Sequence, residues 1–598
     1  MLKDYYIMYN PLTFNMMDLM DNSGISPIHM ISYLTNLDGF ALSCDNYVDY
    51  LEFDLKKHRQ GMMETFAIES YAALYIGNQI SKLEPESKII HSDDKRRTIR
   101  EVIVREGKRP KAVFITAMSS NFPTAVTASI ILNYGKVPVI IGGLHVSTSP
   151  DDVEIFVNKY CPCPELMGQV IGAGDSKVIS EVLHDLDNSA LKPEYRGHNI
   201  IENGVWMPRD NVDLLPNMKL SLLKRIPLFG SLLAKNIRII PAAPFLGCPY
   251  SCSFCSISSL PRNQRKLAIR SKNDFLNELQ AHQKKGDFAS RFFFFLPDNL
   301  LFAGRNLEAI LEGIIEIGLK INFAAQISID VASNDKLLKK LRLSGATHFF
   351  IGLESLDIRN LEYIGKPILK DIRKSGLSVS QYYSEQIKRV QDYGISIHGS
   401  FIMGLPHDYF NSFEDNTAKD IAGFCIKNHI GLQASCFSAL PGSKTFQEVQ
   451  KSGTWLYGDQ GTIQYLLALC LTDLTEMNIQ PPAALDNSPL TVSYLSFESS
   501  RQAGGTKSAL KNATYMMTKS FAYPTARGRK SLKERFIDSI YSFASQLVVS
   551  LYKEHAEKIA NSACGVRGAF ERLHDFEKNP IKRDYFKKYV EIFADSEK

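Results

Sequence analysis

The sequence predicts an α/β protein made of a doubly wound (flavodoxin-like) N-terminal sheet, a partial (β/α)6 barrel and a mainly helical C-terminal region. Two observations predict this class. Between residues 237 and 440, strand-like and helix-like segments alternate about six times, which indicates parallel βαβ units. Before residue 190, short apolar strands run into small-residue turns that open helices, as in open doubly wound sheets. We expect parts at 1–190, 191–236 (a linker), 237–445 and 446–598.

The composition is that of an ordinary globular protein. The 598 residues are 44% hydrophobic and 22% charged, with a formal net charge of +5, and average globular chains have similar proportions. So small an excess of positive charge gives no reason to expect nucleic-acid binding. No run of about 20 apolar residues predicts a membrane span, and the N-terminus lacks the pattern of a secretory signal. We therefore expect a cytoplasmic protein.

The N-terminal region supplies strands and turns in regular order. Strands are predicted at 5–9, 111–117, 137–141 and 169–171, and helices at 124–134, 150–159 and 177–186. Small or polar residues follow three of these strands: Ser119 after the second, Gly142, Gly143 and His145 after the third, and Gly172 and Gly174 after the fourth. The carboxyl ends of parallel strands meet at one edge of a sheet, so these residues predict a ligand site there.

The barrel region continues the alternation. Strands are predicted at 237–245, 291–296, 322–329, 347–353, 396–403 and 431–438, and helices at 273–285, 306–317, 334–344 and 382–393. In such barrels the chemistry lies at the carboxyl ends of the strands. The region beyond 445 is predicted to be helical and to pack mainly as core.

Three of the ten cysteines lie together in the sequence GCPYSCSFCSI. Cys248, Cys252 and Cys255 are separated by three and two residues and follow an apolar strand. A tetrahedral zinc site would need a fourth ligand at a recognisable spacing, and none follows. Three thiolates on a short loop instead suit a 4Fe–4S cluster in which the protein binds three irons and one iron stays open. The other seven cysteines are interpreted as small buried side chains, with a redox or metal role for the Cys-Pro-Cys sequence at 161–163 as the less favoured alternative.

The CxxxCxxC motif, with the aromatic Phe254 before its last cysteine, resembles the signature of the radical S-adenosylmethionine (SAM) superfamily. The resemblance implies that the open iron chelates the amino and carboxylate groups of SAM. It also implies that reduction of the cluster cleaves SAM and releases a 5′-deoxyadenosyl radical. A flavodoxin or ferredoxin type of reductant is implied as a partner.

Later segments resemble the same family in the same order. FLPDNLLF is similar to the segment after the family's second strand, which implies that Asp298 accepts a hydrogen bond from the methionyl ammonium of SAM. FIGLESLD is similar to its GiEs segment, which implies that Glu354 and Ser355 face the ribose hydroxyls or the methionyl group. Gln326 and Ser328 share one strand face and are expected near the ribose. HGSFIMGLPHD and LPGSKTF resemble two further family segments.

The N-terminal turns resemble a second cofactor domain. VPVIIGGLHVSTSPDD and VIGAGDSKVISEVL are similar to the IGGpHvTa and GeGE segments of the cobalamin-binding domain joined to many radical SAM enzymes. The usual Asp-x-His-x-x-Gly cobalt motif is absent. His145 is therefore interpreted as a loop residue near the corrin or the nucleotide loop, with no protein histidine on cobalt. The alternatives are a sheet that docks a partner without cobalamin, or one that binds nothing.

Together the resemblances imply a cobalamin-dependent radical SAM methyltransferase that methylates an unactivated carbon, or a phosphorus, of a small-molecule or peptide substrate. The main alternative is a cobalamin-binding radical enzyme that rearranges or cyclises its substrate without methyl transfer. A non-catalytic iron–sulfur module is a third hypothesis. The sequence identifies neither a substrate nor a catalytic acid or base.

Overall fold

A computed structural model describes most of the first 452 residues. The described residues are 4–10, 70–92, 109–118, 121–198, 213–214, 240–283, 292–409, 415–437, 440–452, 575 and 587. The predicted helices beyond 452, the predicted linker apart from residues 191–198 and 213–214, and Ser119 lie outside them. No helix in these ranges has the length and apolar character needed to cross a membrane.

The N-terminal part is a seven-stranded sheet with helices on both faces. Its strands are β1 (Tyr5–Tyr9), β2 (Lys88–Ser92), β3 (Ala112–Thr116), β4 (Val139–Gly142), β5 (Met167–Ile171), β6 (Glu194–Arg196) and β7 (Asp213–Leu214). Its helices are α1 (Tyr71–Leu83), α2 (Phe122–Tyr134), α3 (Leu144–Thr148), α4 (Pro150–Tyr160) and α5 (Ser176–Asp187). The strands lie in the order β6-β5-β4-β3-β1-β2-β7, and all the pairings are parallel.

Period-two burial explains why this sheet is covered on both faces. Along β1, Ile7 and Tyr9 pack into one hydrophobic cluster, and Tyr6 and Met8 pack into another on the opposite side. Successive side chains of a strand point to opposite faces, so an all-apolar strand must be buried twice. Each large side chain buried in this way stabilises the fold by about 1.5–3 kcal/mol.

The sheet extends further along the chain than the sequence predicts. The stretch expected to be a linker from 191 contributes the edge strands β6 and β7, so that expectation is wrong for these residues. Tyr195 explains the position of β6, because its ring is buried and its hydroxyl donates to Asp185 at 3.0 Å. A strand of three residues, such as β6, is too short to show a periodic pattern in the sequence.

The second part is a six-stranded parallel sheet. Its strands are β8 (Ile240–Ala242), β11 (Phe292–Phe295), β12 (Asn322–Gln326), β13 (Ala346–Glu354), β14 (Ser396–Met403) and β15 (Gly431–Cys436), in the order β15-β14-β13-β12-β11-β8. A separate antiparallel pair consists of β9 (Phe245–Leu246) and β10 (Ala268–Ile269). The helices are α6 (Arg262–Arg265), α7 (Lys272–Gln283), α8 (Arg305–Glu316), α9 (Asp335–Leu343), α10 (Ile358–Tyr363), α11 (Leu369–Ser375), α12 (Val379–Asp392), α13 (Thr417–Lys427) and α14 (Lys444–Ser452). These strands and helices confirm the α/β class.

The six-stranded sheet buries one face under these helices. Phe293, Phe323, Phe349 and Ile397 come from four successive strands and belong to one hydrophobic cluster. The predicted strand 237–245 is divided in the structure, since β8 pairs with β11 while β9 leaves the sheet to pair with β10. Pro244 stands at the break, and proline cannot donate a ladder hydrogen bond. The chain therefore leaves the sheet just before the cysteines.

Candidate functional site

The cysteine loop follows β9 and ends at a 3-10 helix, Ser256–Ser259. Cys248, Cys252 and Cys255 are half-buried and form no disulfide. Burial raises the pKa of all three thiols, that of Cys248 to about 11. For Cys248 and Cys255 the charge of Asp298 and those of neighbouring thiols add to the rise, and for Cys252 the charge of Glu354 does so. A bound metal offsets this rise because it replaces the proton and holds the thiolate.

Backbone hydrogen bonds hold the middle of the cysteine loop on both sides. The Ser253 N–H donates to the Ile364 carbonyl oxygen at 3.2 Å, and the Thr445 N–H donates to the Ser253 carbonyl oxygen at 3.2 Å. Phe254 packs partly buried against the hydrophobic cluster of the six-stranded sheet. The loop is thus positioned between the segment after α10 and the start of α14 before any cofactor binds.

The donor set fits an iron–sulfur cluster better than a single ion. Among the described residues, no three His, Cys, Asp or Glu side chains are grouped as ligands of one metal ion. A cubane does not need such a group, because each cysteine binds a different iron. Three soft thiols, with no fourth ligand grouped with them in the described part of the chain, fit three irons of a 4Fe–4S cluster.

A buried ion pair lies beside the cysteine loop. Glu354 Oε1 is 2.9 Å from Lys366 Nζ, and both side chains are largely buried. Burial alone would lower the pKa of Lys366, but the charge of Glu354 and its hydrogen bond outweigh burial and raise that pKa. The positive charge of Lys366 in turn lowers the pKa of Cys252, opposing the effect of burial.

A strand irregularity turns Glu354 toward Lys366. The β13–β14 register shifts between Gly352 and Glu354, and Glu354 has a φ of 65°. A non-glycine residue in this region costs about 1–3 kcal/mol and persists only where surrounding contacts hold it. The ion pair supplies such a contact. Sequence reasoning found Glu354 but missed Lys366, whose only sequence signal is a charge in an otherwise apolar turn.

Asp298 and Asn299 follow β11 and have different surroundings. Asp298 is solvent-accessible, but the protein atoms around it raise the pKa of its carboxyl to about 6 by desolvation. Asn299 is buried and binds Ser328 twice, because its Nδ2 donates to Ser328 Oγ at 2.6 Å and its Oδ1 accepts from the Ser328 N–H at 3.1 Å. Burial raises the pKa of Tyr250 in the cysteine loop, and the nearby Ser328 side chain opposes this rise. Gln326 ends β12 with an exposed side chain.

Ser355 lies directly after Glu354 and has its own hydrogen-bond partners. Its side chain is buried, and its Oγ accepts from the Asp357 N–H at 3.1 Å and from Asn360 Nδ2 at 3.3 Å. Asn360 also donates to Asp408, which accepts the N–H of Gly404 at 2.7 Å. Ser355 therefore joins a network that fixes the GLPHD turn after β14.

The carboxyl edge of the seven-stranded sheet is built from backbone and small residues. Gly143 has a φ of 111°, and a Cβ there would collide with the backbone of Ala117. The hydroxyl of Ser147 connects the two glycine-rich turns, because it donates to the Gly143 carbonyl oxygen and accepts from the Gly172 N–H, both at 2.9 Å. Gly142 ends β4. Ser147 lies in a segment that the sequence singled out, but its role was missed because Gly172 is 25 residues away.

The interpretation of His145 as a loop residue is wrong. His145 lies in α3 and is fully buried. Its Nε2 is 3.1 Å from Asp152 Oδ2, and its ring stacks on Phe122 with centroids 3.7 Å apart. Burial lowers its pKa, so the ring is neutral. These contacts hold the ring of His145 inside the fold, and α3 begins directly after the Gly-Gly turn.

The second glycine-rich turn, at residues 172–174, packs against helix α1. Gln79 of α1 donates from Nε2 to the Gly174 carbonyl oxygen at 2.5 Å. A Cβ on Gly174 would collide with Ile76 of the same helix, so the backbone approaches α1 closely.

Cys161 and Cys163 lie away from these turns, and Cys163 is fixed by the side chain of Asn133.

The two carboxyl edges meet at the cysteine loop. Helix α3 packs against the 3-10 helix Ser256–Ser259 that follows the last cysteine. A Cβ on Gly442 would contact both Ser259 and Thr148 of α3, and one on Gly172 would lie 3.1 Å from Gln264 Nε2. The turns that end β4 and β5 therefore adjoin the residues that follow the three thiols.

An α/β fold with three cysteines in CxxxCxxC spacing beside the carboxyl edge of a parallel sheet defines a radical SAM type of site. Residues 243–417 match the family model of the Radical SAM superfamily, so this part of the chain is a radical SAM domain. The match confirms the resemblance that the motifs indicated.

Individual relatives are more distant. The chain is 26% identical over 319 residues to bacteriochlorophyllide d C-12(1)-methyltransferase of Chlorobaculum tepidum, covering 53% of this chain and 60% of that protein. It is 23% identical over 348 residues to hopanoid C-2 methylase of Rhodopseudomonas palustris, covering 55% and 56%. A solved structure, the radical SAM methyltransferase TsrM of Kitasatospora setae with cobalamin and a [4Fe-4S] cluster bound, is 12% identical with a TM-score of 0.47, covering 75% and 78%. The chain thus spans about three fifths of the length of these curated relatives.

Proposed function

We propose that this protein is a cobalamin-dependent radical SAM methyltransferase that methylates an unactivated carbon, or a phosphorus, of a small-molecule or peptide substrate. The observation that carries the proposal is the contact between α3, at the glycine-rich edge of the seven-stranded sheet, and the 3-10 helix after the last cysteine. A cobalamin bound at the glycine-rich edge and a cluster bound by the three cysteines would then lie beside each other and could act on one substrate. The names of both curated relatives above describe methyl transfer.

The proposal assigns each sheet to one cofactor. The order β2-β1-β3-β4-β5 within the seven-stranded sheet is the order of flavodoxin-like folds, which bind ligands at the carboxyl edge, and we assign cobalamin to it. The six-stranded sheet, with its strands in sequential order, is interpreted as a partial barrel that holds the cluster and SAM at its carboxyl edge.

Residues of this chain then have defined tasks. Cys248, Cys252 and Cys255 hold the cluster, which supplies the electron for SAM cleavage. Above about pH 6 the carboxylate of Asp298 accepts a hydrogen bond from the SAM ammonium, a charge-assisted contact. Glu354 is available to the ribose or the methionyl group from its place beside Lys366. Gly142, Gly143, Gly172 and Gly174 let backbone groups approach the corrin closely.

The cluster and the radical chemistry are tested on the purified protein under anaerobic reconstitution. We expect about four irons per chain, the stoichiometry of one 4Fe–4S cluster, and formation of 5′-deoxyadenosine with SAM and a strong reductant. Changing Cys248, Cys252 and Cys255 to Ala abolishes both. Cys163→Ala, a change at a half-buried cysteine outside the loop, keeps both. Formation of 5′-deoxyadenosine by the triple variant would overturn the cluster assignment.

Methyl transfer is tested with methyl-labelled SAM and candidate substrates, after equilibrium binding of hydroxocobalamin has been measured. Label in the product, together with 5′-deoxyadenosine and S-adenosylhomocysteine, supports the proposal. Substrate turnover with 5′-deoxyadenosine but without S-adenosylhomocysteine replaces it by a rearrangement or cyclisation. A protein that binds iron but no cobalamin favours a partner-docking role for the N-terminal sheet.

A further inference from the structure

The six-stranded sheet carries a group of four aromatic rings on the face away from its helices. Along β13, Phe349 and Ile351 belong to the hydrophobic cluster under the helices, whereas His348 and Phe350, which alternate with them, do not. Successive side chains of a strand point to opposite faces, so the alternating rings share the other face, which we name the inner face. The rings on it, which we name the ring cluster, belong to Phe294, His348, Phe350 and His398.

The four rings contact one another in fixed positions. The rings of Phe350 and His398 are stacked, with centroids 5.2 Å apart and an interplanar angle of 14°, and Phe294 meets Phe350 edge to face at 5.6 Å. His348 Nε2 and His398 Nδ1 are hydrogen bonded to each other. A Cβ on Gly431, which pairs with His398 from β15, would collide with the His398 ring, so the glycine gives that ring its space. The ring cluster is therefore formed before any ligand binds.

The ring cluster lies on the amino-terminal side of the Glu354–Lys366 pair, one row of side chains away. Gly352 separates Phe350 from Glu354 along β13, and a Cβ there would collide with Glu354 and lie 3.1 Å from Lys366 Nζ. Ser400 is the neighbour of Gly352 on β14. Successive rows are about 7 Å apart along the strands. Because Gly352 and Ser400 are small, they leave room beside the rings, and the Phe350 ring is only half-buried.

The six strands carry almost no charge. Glu354 is the only Asp, Glu, Lys or Arg among the residues of β8 and β11 to β15, and Lys366 neutralises it. Burial lowers the pKa of His398 to about 4, so its ring is uncharged at neutral pH. Gln326, the neighbour of Phe350 on β12, adds an exposed neutral amide. Because a charge buried without a partner is costly, this face favours an uncharged ligand.

We propose that the ring cluster binds an uncharged aromatic ring of the substrate. The inference rests on the proposed function and narrows its small-molecule or peptide substrate to molecules that carry such a ring. Aromatic rings attract one another in stacked and edge-to-face arrangements, and the half-buried rings of Phe350 and His398 are open to such contacts. A ring held there lies on the same sheet as Glu354, beside the proposed SAM site.

The test uses three probes with the same fused two-ring frame on the reconstituted protein without SAM. Naphthol is flat and uncharged, naphthoate is flat and anionic, and decahydronaphthol is uncharged but not flat. Equilibrium dialysis is expected to show naphthol bound about tenfold more tightly than either of the others. Reduction of the cluster should broaden the NMR signals of bound naphthol, because the reduced cluster is paramagnetic and lies near the inner face.

Variants locate the bound probe. Phe350→Leu keeps an apolar side chain but removes the ring, so naphthol binding should weaken about fivefold while decahydronaphthol binding is unchanged. Ser400→Leu adds bulk in the row beside the rings and should also weaken naphthol binding, which keeps the test valid if Phe350→Leu does not fold. The matched control, Phe424→Leu, makes the same change in α13 on the helix-covered face of the sheet and should leave naphthol binding unchanged.

Three results would overturn the proposal. Naphthol affinity that is equal in the wild-type protein and in the folded Phe350 and Ser400 variants would show that the ring binds elsewhere. Decahydronaphthol bound as tightly as naphthol would assign the inner face to a saturated apolar group, and naphthoate bound as tightly would assign it to an anion. A protein that gains no cluster, or whose cluster forms no 5′-deoxyadenosine with SAM and a strong reductant, would instead refute the proposed function, since probe binding is measured without SAM cleavage.

Discussion

The two carboxyl edges that meet at the cysteine loop are built from different materials. The edge of the seven-stranded sheet consists mainly of glycine backbone and the bridging hydroxyl of Ser147. Its ionisable neighbour His145 is buried with a lowered pKa, and the buried carboxyl of Asp175 is used inside the fold, where it accepts from the N–H groups of Val178 and His198. The edge of the six-stranded sheet carries thiols, Asp298 and the Glu354–Lys366 pair. The first can hold a large ligand through shape and neutral hydrogen bonds, whereas the second can hold charged groups and a metal cluster.

This difference predicts where single substitutions have large effects. At the charged edge, removal of one side chain leaves its partner buried without compensation, which is costly. At the backbone edge, removal of a side chain should change the free energy of unfolding little. Addition of a Cβ at Gly143 should be destabilising, because the new atom would collide with the backbone of Ala117. Four substitutions, from the largest expected effect to the smallest, test this contrast.

The largest effect is expected for Lys366→Met, which leaves the buried carboxylate of Glu354 unpaired. Loss of one partner of a buried ion pair costs about 3–5 kcal/mol, so the urea midpoint of the variant should lie far below that of the wild-type protein at pH 7.5. The control is the double change Lys366→Met with Glu354→Gln, which removes both charges and should recover most of the stability. Equal losses in the single and double variants would contradict the role of the pair.

Gly143→Ala tests the backbone edge by adding one atom. The φ of 111° with a ψ of −175° is a region open almost only to glycine, and a residue forced there costs about 1–3 kcal/mol. The clash with Ala117 adds to this cost. Gly423→Ala, in α13 with nothing near the added atom, is the control and should be neutral or stabilising. If the Gly143→Ala variant were as stable as the control, the backbone around Gly143 and Ala117 could accommodate a Cβ and the predicted clash would be wrong.

The sequence predicted these two edges unequally well, and for a physical reason. The cysteine loop was predicted because its ligands are neighbours in the chain. Four strands of the first sheet and all six of the second were predicted because they are short apolar runs followed by turns, whereas β2, β6 and β7 were not predicted. Lys366 was missed because a register shift and α10 bring it to Glu354. His145 was placed in a loop because Gly-Gly suggests an open turn, whereas the stacking on Phe122 that ends the turn is a tertiary contact.

Asp408→Asn tests whether the charged edge depends on pH. Burial raises the pKa of this carboxyl to about 6, although the N–H groups of Gly404 and Leu405 lower it. The folded pKa lies above the model-peptide value of 3.8, so the folded state holds its proton longer and the free energy of unfolding decreases as pH rises from about 4 to 6. We expect the variant to show no such decrease in the free energy of unfolding between about pH 4 and 6. A variant whose urea midpoint falls between about pH 4 and 6 as steeply as that of the wild-type protein would contradict the assignment.

The smallest effect is expected for Ser147→Ala at the backbone edge. The change removes one donor to Gly143 and one acceptor from Gly172, and a neutral hydrogen bond contributes about 0.5–1.5 kcal/mol. The two glycine-rich turns should then move independently, so hydroxocobalamin affinity should fall by about fivefold, or about 1 kcal/mol.

The iron content of the Ser147 variant should equal that of the wild-type protein, because the hydroxyl touches no residue of the cysteine loop among its described contacts. Ser180→Ala, an exposed serine of α5, is the matched control and should leave both quantities unchanged. Complete loss of cobalamin binding in Ser147→Ala would mean that this edge holds its ligand through one side chain. The contrast between a backbone edge and a charged edge would then be wrong.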